Sequence, residues 1–306
     1  MNTPHLLVIG GTGFIGHHLL TAAILRGWEI TSVSLNPPTE IRFVDAVEYI
    51  HFDLNDLSLV NKYLNEDFDY VVNLGGYIDH KLFMEGGRTL IDTHFSALQN
   101  LLEVLPRHRL KRFVQIGSSD EYGNASPPQH EDLREQSISP YSLAKTASTH
   151  FLQMLHRTET FPAVTLRLFL TYGPGQDSSR FLPQIIRGCL DDAIFPTSPG
   201  EQLRDFCYVD DTVRAILHAL THPEVDGNVF NVASGEGVAI RTMIKKVCQL
   251  TGTGKPRFGE VPYRTGENMT LYGNISKTKS ILSWEPLIPL DDGLKHTIDF
   301  FKQYYE

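Results

Sequence analysis

Tyr141 and Lys145 lie four residues apart in a segment with a helical pattern, so their side chains are expected on one helix face. A cation near a phenol lowers the pKa of the phenol from its ordinary value of about 10. Such a phenol can give a proton to a carbonyl oxygen, or take one from a hydroxyl, near neutral pH. This pair is therefore a candidate for general acid–base chemistry.

The same spacing recurs at Tyr77 and Lys81, and the surrounding sequence separates the two pairs. Tyr77 follows the end of a predicted strand, in a loop with no helix start signal. Tyr141 follows a predicted strand that runs into Ser118, and then a helix N-cap at Ser139. Ligands of parallel sheets bind at the carboxyl ends of the strands, so Ser118 is expected to bond a substrate oxygen beside the second pair.

A glycine-rich segment near the N-terminus has glycines at positions 10, 13 and 16. Glycine permits both a tight turn and a close approach of the backbone to a pyrophosphate. A predicted strand precedes the segment, and the N-terminus of the predicted helix after it offers amide groups to anionic oxygens. We therefore predict a dinucleotide cofactor, with contacts from Gly10, Thr12, Gly13, Phe14, Ile15 and Gly16.

The identity of that cofactor depends on the end of the second predicted strand, which reads VSLN at residues 33–36. An acid there normally binds the adenosine ribose hydroxyls, and Ser34 has no charge to repel a 2′-phosphate. No arginine follows immediately to bind such a phosphate, although Arg42 is a candidate to come near it. NAD and NADP therefore both remain open, with a lean to NADP. Asp53 contacts the adenine edge or caps a solvated turn, and further cofactor contacts are predicted at Leu54, Leu74 and Gly75.

The elements that must position these residues alternate between short apolar runs and longer helical patterns. Strands are predicted at residues 6–9, 29–35, 47–52, 70–74, 112–116, 164–170 and 229–232. Helices are predicted at residues 14–26, 57–64, 89–105 and 139–157. This order predicts an α/β fold with a Rossmann-type doubly wound parallel sheet. Residues 1–170 are predicted to form the dinucleotide-binding domain, and 171–306 a smaller C-terminal substrate-binding lid with some segments returning to the sheet.

Composition excludes several functional classes. The 306 residues contain 27 Lys and Arg against 36 Asp and Glu, a net charge of −9 that argues against binding duplex nucleic acid. No apolar stretch approaches the roughly 18 residues that suggest a membrane span. The N-terminus lacks the pattern of a secretory signal, and the three cysteines are widely spaced. We expect a cytoplasmic protein without a metal site and without a membrane partner.

Several motifs, in their order along the chain, resemble those of the extended short-chain dehydrogenase/reductase family, in particular its nucleotide-sugar epimerases, dehydratases and 4-ketoreductases. Besides the glycine loop they are GSSDEYG at 117–123, PYSLAK at 140–145, YGPG at 172–175, RDF at 204–206, VDD at 209–211, NVASG at 231–235 and WEP at 284–286. The resemblance covers nearly the whole chain.

This resemblance implies Ser118, Tyr141 and Lys145 as the catalytic set, with Lys145 also bonding the nicotinamide ribose. It implies a nucleotide-sugar substrate and a homodimer that forms through the helices predicted at 89–105 and 139–157. The substrate contacts that it implies are Ser119, Asp120, Arg204 and Arg264.

Departures from the family pattern bear on the reaction. Dehydratase members resemble each other in an Asp-Glu pair where this chain has Ser119 and Asp120, so the pair needed to eliminate water is incomplete. Leu170 and His94 each stand where an Asn is usual. Together with the missing ribose acid, these changes favour a cofactor that exchanges at each turnover. We predict a reductase of a nucleotide-linked 4-keto-6-deoxy sugar; the alternatives are a 4-epimerase with tightly bound NAD and, less favoured because Tyr and Lys are both present, a non-catalytic dinucleotide sensor.

Overall fold

The strands belong to one large sheet and several small ones. The computed structural model describes residues 3–263 and 267–304. In these residues the strands are β1 (His5–Ile9), β2 (Glu29–Ser34), β3 (Glu48–His51), β4 (Tyr70–Asn73), β5 (Arg112–Ser118), β6 (Ala163–Leu168), β7 (Leu170–Tyr172), β8 (Ile194–Thr197), β9 (Leu203–Arg204), β10 (Phe206–Tyr208), β11 (Val229–Val232), β12 (Val238–Ala239), β13 (Lys255–Phe258) and β14 (Thr270–Leu271).

Seven of these strands form the central sheet, in the spatial order β11-β6-β5-β4-β1-β2-β3, and every neighbouring pair is parallel. The Rossmann-type doubly wound sheet is confirmed. The strand order reverses between β1 and β4, and the crevice at such a switch point is where ligands bind in open parallel sheets. The glycine loop that follows β1 therefore lies at this crevice.

Helices cover both faces of the sheet. They are α1 (Phe14–Ile24), α2 (Leu57–Tyr63), α3 (Arg88–Ile91), α4 (Ala97–Val104), α5 (Pro140–Glu159), α6 (Phe181–Leu190), α7 (Val209–Thr221), α8 (Ile240–Thr251), α9 (Ser276–Ile281) and α10 (Leu290–Tyr304). Alternate residues of β1 enter two different cores: Leu6 and Val8 pack with α1, whereas Leu7 and Ile9 pack with α2 and α4. None of the helices in the described residues is long and apolar enough to cross a membrane.

The start of α5 follows from local sequence signals, as predicted. Ser139 is the N-cap, and its Oγ accepts a hydrogen bond from the amide of Ser142 at 3.1 Å. Pro140 occupies the first helical position, where a missing amide hydrogen costs nothing. These caps fix the first turn of α5, and Tyr141 lies in that turn.

Two predicted elements are interrupted. The helix predicted at 89–105 contains a π-helical turn at Asp92–Ser96, where the amide of Ala97 bonds the carbonyl of Asp92. The predicted end of the strand at 164–170 is wrong, because β6 ends at Leu168. The amide of Leu170 donates instead to the carbonyl of Asp205 at 3.0 Å, which starts the separate pair β7–β10.

Residues after 171 build most of the smaller layer. Its three-stranded sheet has the order β12-β9-β14, and β8 pairs with β13. Two segments return to the large sheet: β11 extends it beside β6, and α7 packs against it next to α1. The division into a dinucleotide-binding domain and a lid stays a prediction.

Candidate active site

The glycine loop forms a backbone cradle at the end of β1. Gly10 has a φ of +80°, its amide donates to the carbonyl of Val33 at 2.7 Å, and its own carbonyl accepts from Gly13 at 3.1 Å. A Cβ on Gly16 would lie 2.4 Å from the Gly10 oxygen, so only glycine allows this close turn. The N-cap of α1 makes no side-chain hydrogen bond, which leaves the first helical amides for an anion. The cradle thus fits a pyrophosphate, and it contains the predicted contacts Gly10, Thr12, Gly13, Phe14, Ile15 and Gly16.

The end of β2 has no carboxylate. Ser34 is buried, and its Oγ accepts a hydrogen bond from the amide of Thr12 at 3.3 Å. Arg42 points its guanidinium at the loop after β7, where Nη2 donates to the carbonyl of Gly175 at 2.7 Å and to Asp177 at 2.8 Å. The predicted phosphate ligand Arg42 is therefore engaged in an ion pair within the chain.

The other predicted cofactor contacts follow β3 and β4. Asp53 is exposed, and its carboxylate caps the turn that begins there. Leu54 is half-buried beside it. Leu74 and Gly75 directly follow β4, and the Gly75 amide donates to Oδ1 of Asn73 at 3.0 Å. A Cβ on Gly10 would lie 3.0 Å from the carbonyl carbon of Leu74 and 3.2 Å from the amide nitrogen of Gly75, so these two residues border the same crevice as the glycine loop.

The three predicted catalytic residues come together at the carboxyl end of β5. Ser118 is the last residue of that strand, and Tyr141 and Lys145 project from the first turns of α5; all three are buried. The Lys145 Nζ donates to the carbonyl of Ile116 at 2.8 Å and lies 5.9 Å from the centre of the Tyr141 ring. The Tyr77–Lys81 pair lies in an exposed loop outside any helix, as predicted.

The electrostatics of this cluster differ from the expectation. Burial raises the pKa of Tyr141, the nearby carboxylate of Asp120 raises it further, and a hydrogen bond with Ser118 acts in the opposite direction. The prediction that the pKa of Tyr141 lies below its ordinary value is therefore wrong for this structure, because burial raises it. Burial also lowers the pKa of Lys145 to about 8. The ammonium of Lys145 is thus close to its titration point in neutral solution.

A buried carboxylate, which the sequence analysis missed, holds Ser118 in place. Glu121 Oε1 accepts from the amide of Ser118 at 2.9 Å. Its Oε2 accepts from Thr149 Oγ1 and from Arg167 Nε, each at 2.9 Å. The available signal was Arg167, an arginine inside the mostly apolar run predicted as a strand at 164–170. An arginine in a buried strand requires a buried acid as partner.

The predicted substrate contacts surround the same end of β5. Ser119 is buried, and Asp120, whose side chain is 30% exposed, lies 3.9 Å from Nε2 of His80. Burial raises the pKa of Asp120, while the neighbouring His80, Arg204 and Arg180 oppose that rise. Arg180, the N-cap residue of α6, was missed by the sequence analysis.

The structure describes one of the two arginines that are predicted to contact the substrate. Arg204 in β9 forms an ion pair with Glu267, and both side chains are largely buried. Arg264 lies outside the described residues. Within residues 3–263 and 267–304, no group of three His, Cys, Asp or Glu side chains is arranged to hold a metal ion.

The sequence and the fold of the chain are similar to those of known proteins. The profile of the NAD dependent epimerase/dehydratase family matches residues 6–233. A dTDP-glucose 4,6-dehydratase of Xanthomonas campestris pv. campestris (strain B100) is 27% identical over 96% of this chain and 92% of its own length. A UDP-glucuronate 4-epimerase of Thermodesulfobacterium geofontis is 25% identical, covering 99% of this chain and 97% of its own. The structure of a UDP-glucuronic acid 4-epimerase from Bacillus cereus, with UDP-glucuronic acid and NAD, superposes with a TM-score of 0.85 at 27% identity and covers 98% of this chain and 100% of that one.

Proposed function

The chain belongs to the NAD dependent epimerase/dehydratase family, and from that premise we propose that it is an oxidoreductase acting at C4 of a nucleotide-linked sugar. Its most favoured reaction is the reduction of a 4-keto-6-deoxy sugar. The observation that carries the proposal is the convergence of Ser118, Tyr141 and Lys145 at the carboxyl end of β5, next to the glycine cradle. A phenol, a hydroxyl and a cation at that point suit proton transfer at a sugar oxygen.

The cofactor would be held between the cradle and the loops after β2, β3 and β4. The amides of the cradle would bind the pyrophosphate, Ser34 would contact the adenosine ribose, and Lys145 would bond the nicotinamide ribose. The nicotinamide cofactor would supply the hydride. NAD is the cofactor of the B. cereus relative; the uncharged Ser34 adds NADP as a second acceptable cofactor for this chain.

The residues of the chain supply the proton and its control. Tyr141 donates its phenolic proton to the C4 oxygen, and Ser118 donates a hydrogen bond to the same oxygen. Burial raises the pKa of Tyr141, so the phenol is protonated before the reaction, as a general acid must be. The Lys145 ammonium then stabilises the phenolate that remains after the proton has been transferred.

Two features favour a reductase within the family. Ser119 stands where a dehydratase needs an acid, so the chain lacks one carboxylate for eliminating water. Ser34 replaces the acid that holds the adenosine ribose, and weaker retention suits a cofactor that exchanges at each turnover. A second candidate, a 4-epimerase, is favoured by the full-length likeness to two UDP-glucuronate 4-epimerases.

The substrate is proposed to contact Ser119 and Asp120 through its sugar, with Arg204 and Arg264 binding its nucleotide diphosphate. A homodimer through α5 and the helical segment 88–104 is also proposed. It is supported by Leu143 and Met154, two exposed apolar side chains that lie on one face of α5. Light scattering of wild type and of Leu143→Asp tests this: dimer is expected for the first and monomer for the second.

One experiment separates the two reactions. The purified protein is incubated with a panel of nucleotide-linked 4-keto-6-deoxy sugars and either NADPH or NADH. A reductase consumes one reduced cofactor for each sugar and purifies largely without bound cofactor. Interconversion of two C4 epimers by the protein as purified, with no net change in nicotinamide absorbance, would establish the epimerase instead. If the protein binds the dinucleotide but shows neither reductase nor epimerase activity, that result would support the non-catalytic dinucleotide sensor.

A further inference from the structure

Two of the three cysteines meet in the smaller layer, although 59 positions separate them in the chain. Cys189 lies in the last turn of α6 and Cys248 in the last turn of α8, and their Sγ atoms are 3.5 Å apart. Both cysteines are free, so the contact is between two thiols. A disulfide bond brings two sulfurs to about 2.05 Å, so these two need to approach by only about 1.5 Å to form one.

The loop that follows α8 holds both helix ends at this contact. Thr253 Oγ1 donates a hydrogen bond to the carbonyl of Cys189 at 2.7 Å. The amide of Gly252 donates to the carbonyl of Cys248 at 2.9 Å. Gly254 has a φ of +95°, and a Cβ there would lie 2.7 Å from Sγ of Cys189, so the loop backbone covers this sulfur directly. Backbone contacts, in addition to the side chains, therefore keep the two thiols together.

The two thiols differ in their access to solvent. Cys189 is wholly buried, and burial, followed by the hydrogen bond with Cys248, raises its pKa to about 12. Cys248 is half-buried and lines an open surface cavity of about 370 Å³, together with Asp192, Gln249 and Lys255. The thiolate is the form of cysteine that reacts with oxidants, and it must be reached from solvent. A small oxidant therefore meets Cys248 first, and Cys189 lies behind it as the second thiol.

We propose that Cys189 and Cys248 form a redox modification site, at which a hydroperoxide converts the two thiols into a reversible intrachain disulfide between α6 and α8. With hydrogen peroxide, the thiolate of Cys248 attacks one oxygen, the O–O bond breaks, and the products are a sulfenic acid and one water. The sulfur of Cys189 then attacks the sulfenic sulfur and breaks its S–O bond, and the departing hydroxide takes the Cys189 proton as a second water. The two sulfurs lose two electrons, which reduce one peroxide to two waters.

The disulfide joins two helices that begin beside proposed substrate contacts. The N-cap of α6 is Arg180, whose charge acts on Asp120. α8 follows β12, and β12 pairs with the strand of Arg204. A covalent bond between the far ends of α6 and α8 opposes every local opening that separates them. Neither cysteine lies in the central sheet, so the bond stabilises the smaller layer and leaves the glycine cradle as it is.

Counting thiols tests the bond in the wild type. The reduced protein is treated with hydrogen peroxide, denatured and titrated with a thiol-reactive chromophore. We expect the three thiols of the chain to fall to one, to return with dithiothreitol, and the protein to run as a single chain on a non-reducing gel. Mass spectrometry of a digest should show the peptides of Cys189 and Cys248 joined. Cys207 lies in β10 with its sulfur against Thr212, and Cys207→Ala is the matched control, which should also lose two thiols.

Single substitutions test the order of the two steps. In Cys189→Ala the sulfenic acid at Cys248 has no second thiol, so dimedone should trap it. In Cys248→Ser the two buried cysteines, Cys189 and Cys207, should both stay reduced. Three thiols remaining in the treated wild type, a disulfide between two chains, or oxidation of Cys189 in Cys248→Ser as fast as in the wild type would each overturn the proposal.

Amide hydrogen exchange measures what the bond does to the smaller layer. In the oxidised wild type, the amides of α6 and α8 should exchange at least about threefold more slowly than in the reduced protein, and those of α1 and α2 should keep their rates. Cys207→Ala should show the same difference, and peroxide-treated Cys189→Ala should show none. Unchanged exchange in α6 and α8 after the disulfide has formed would contradict the proposed link between the two helices.

Discussion

The side chains of Glu121 and Arg167 form a hydrogen-bonded ion pair, with Oε2 and Nε 2.9 Å apart and exposures of 0% and 1%. The pair links the turn after β5 to β6. The second oxygen of Glu121 accepts from the amide of Ser118. A wholly buried acid and base thus fix the position of Ser118, although neither belongs to the proposed catalytic set.

Removing the acid should be costly for stability. Glu121→Ala leaves the buried Arg167 guanidinium with Glu135 as its remaining counter-charge, and breaking a buried pair typically costs up to about 3–5 kcal/mol. We expect that loss in the free energy of unfolding measured by urea denaturation. Glu159→Ala is the matched control, since it breaks the exposed pair with Arg107 and should cost at most about 1 kcal/mol. Similar losses in the two variants would contradict the structural role of Glu121.

Lys145→Met should lower activity and raise the free energy of unfolding. At neutral pH the wild type keeps a buried ammonium whose pKa burial lowers from 10.5 to about 8. Removing that charge should raise the free energy of unfolding at pH 7 by on the order of 2 kcal/mol, after the lost bond to Ile116 is allowed for. Turnover and cofactor affinity should both fall, because Lys145 is proposed to stabilise the phenolate and to bond the nicotinamide ribose.

The gain in the free energy of unfolding of Lys145→Met depends on pH, and it should decrease as the pH rises. Between pH 8 and 10.5 the unfolded wild type binds more protons at this lysine than the folded protein does, so wild-type stability rises with pH there. The free-energy cost of the buried Lys145 ammonium is fully present below its pKa in the folded protein, about 8, and disappears as the pH approaches 10.5. Urea denaturation at pH 7, 8, 9 and 10 should therefore show the two proteins converging. A constant difference would mean that the ammonium is not the cause.

Local signals in the sequence predicted most of the helices and strands. The features that the sequence did not predict depend on contacts between residues far apart in the chain. The caps at Ser139 and the glycines after β1 act within a few residues, so they could be recognised directly. Glu121 and Arg167 are separated by 46 positions, and Leu170 turns from β6 because of the carbonyl of Asp205. The π-helical turn depends likewise on packing of His94 against other elements. The pKa of Tyr141 follows from burial, which no spacing reveals.

Ser34→Asp should change the preference between the two dinucleotides. We expect wild type to bind NADP⁺ at least as well as NAD⁺. A carboxylate at this position still accepts from the Thr12 amide and repels a 2′-phosphate, so NADP⁺ affinity should fall at least tenfold, about 1.4 kcal/mol. Calorimetric titration measures both ligands, and Ser32→Ala, two residues earlier in β2, should leave their ratio unchanged. NAD⁺ binding tenfold more tightly than NADP⁺ to wild type would refute the expectation.

Tyr141→Phe tests the general acid. The substitution keeps the buried ring and its perpendicular contact with His94, so the protein should fold, and it removes the proton donor. General acid catalysis contributes about 10²–10⁴-fold, and turnover of a 4-keto sugar should drop by that factor while cofactor binding survives. Tyr77→Phe is the matched control. Tyr77 is half-exposed and meets His94 through its backbone carbonyl, which the substitution preserves, so most activity should remain. Retention of more than about a tenth of wild-type turnover by Tyr141→Phe, where chemistry limits the rate, would remove Tyr141 from the proton-donating role.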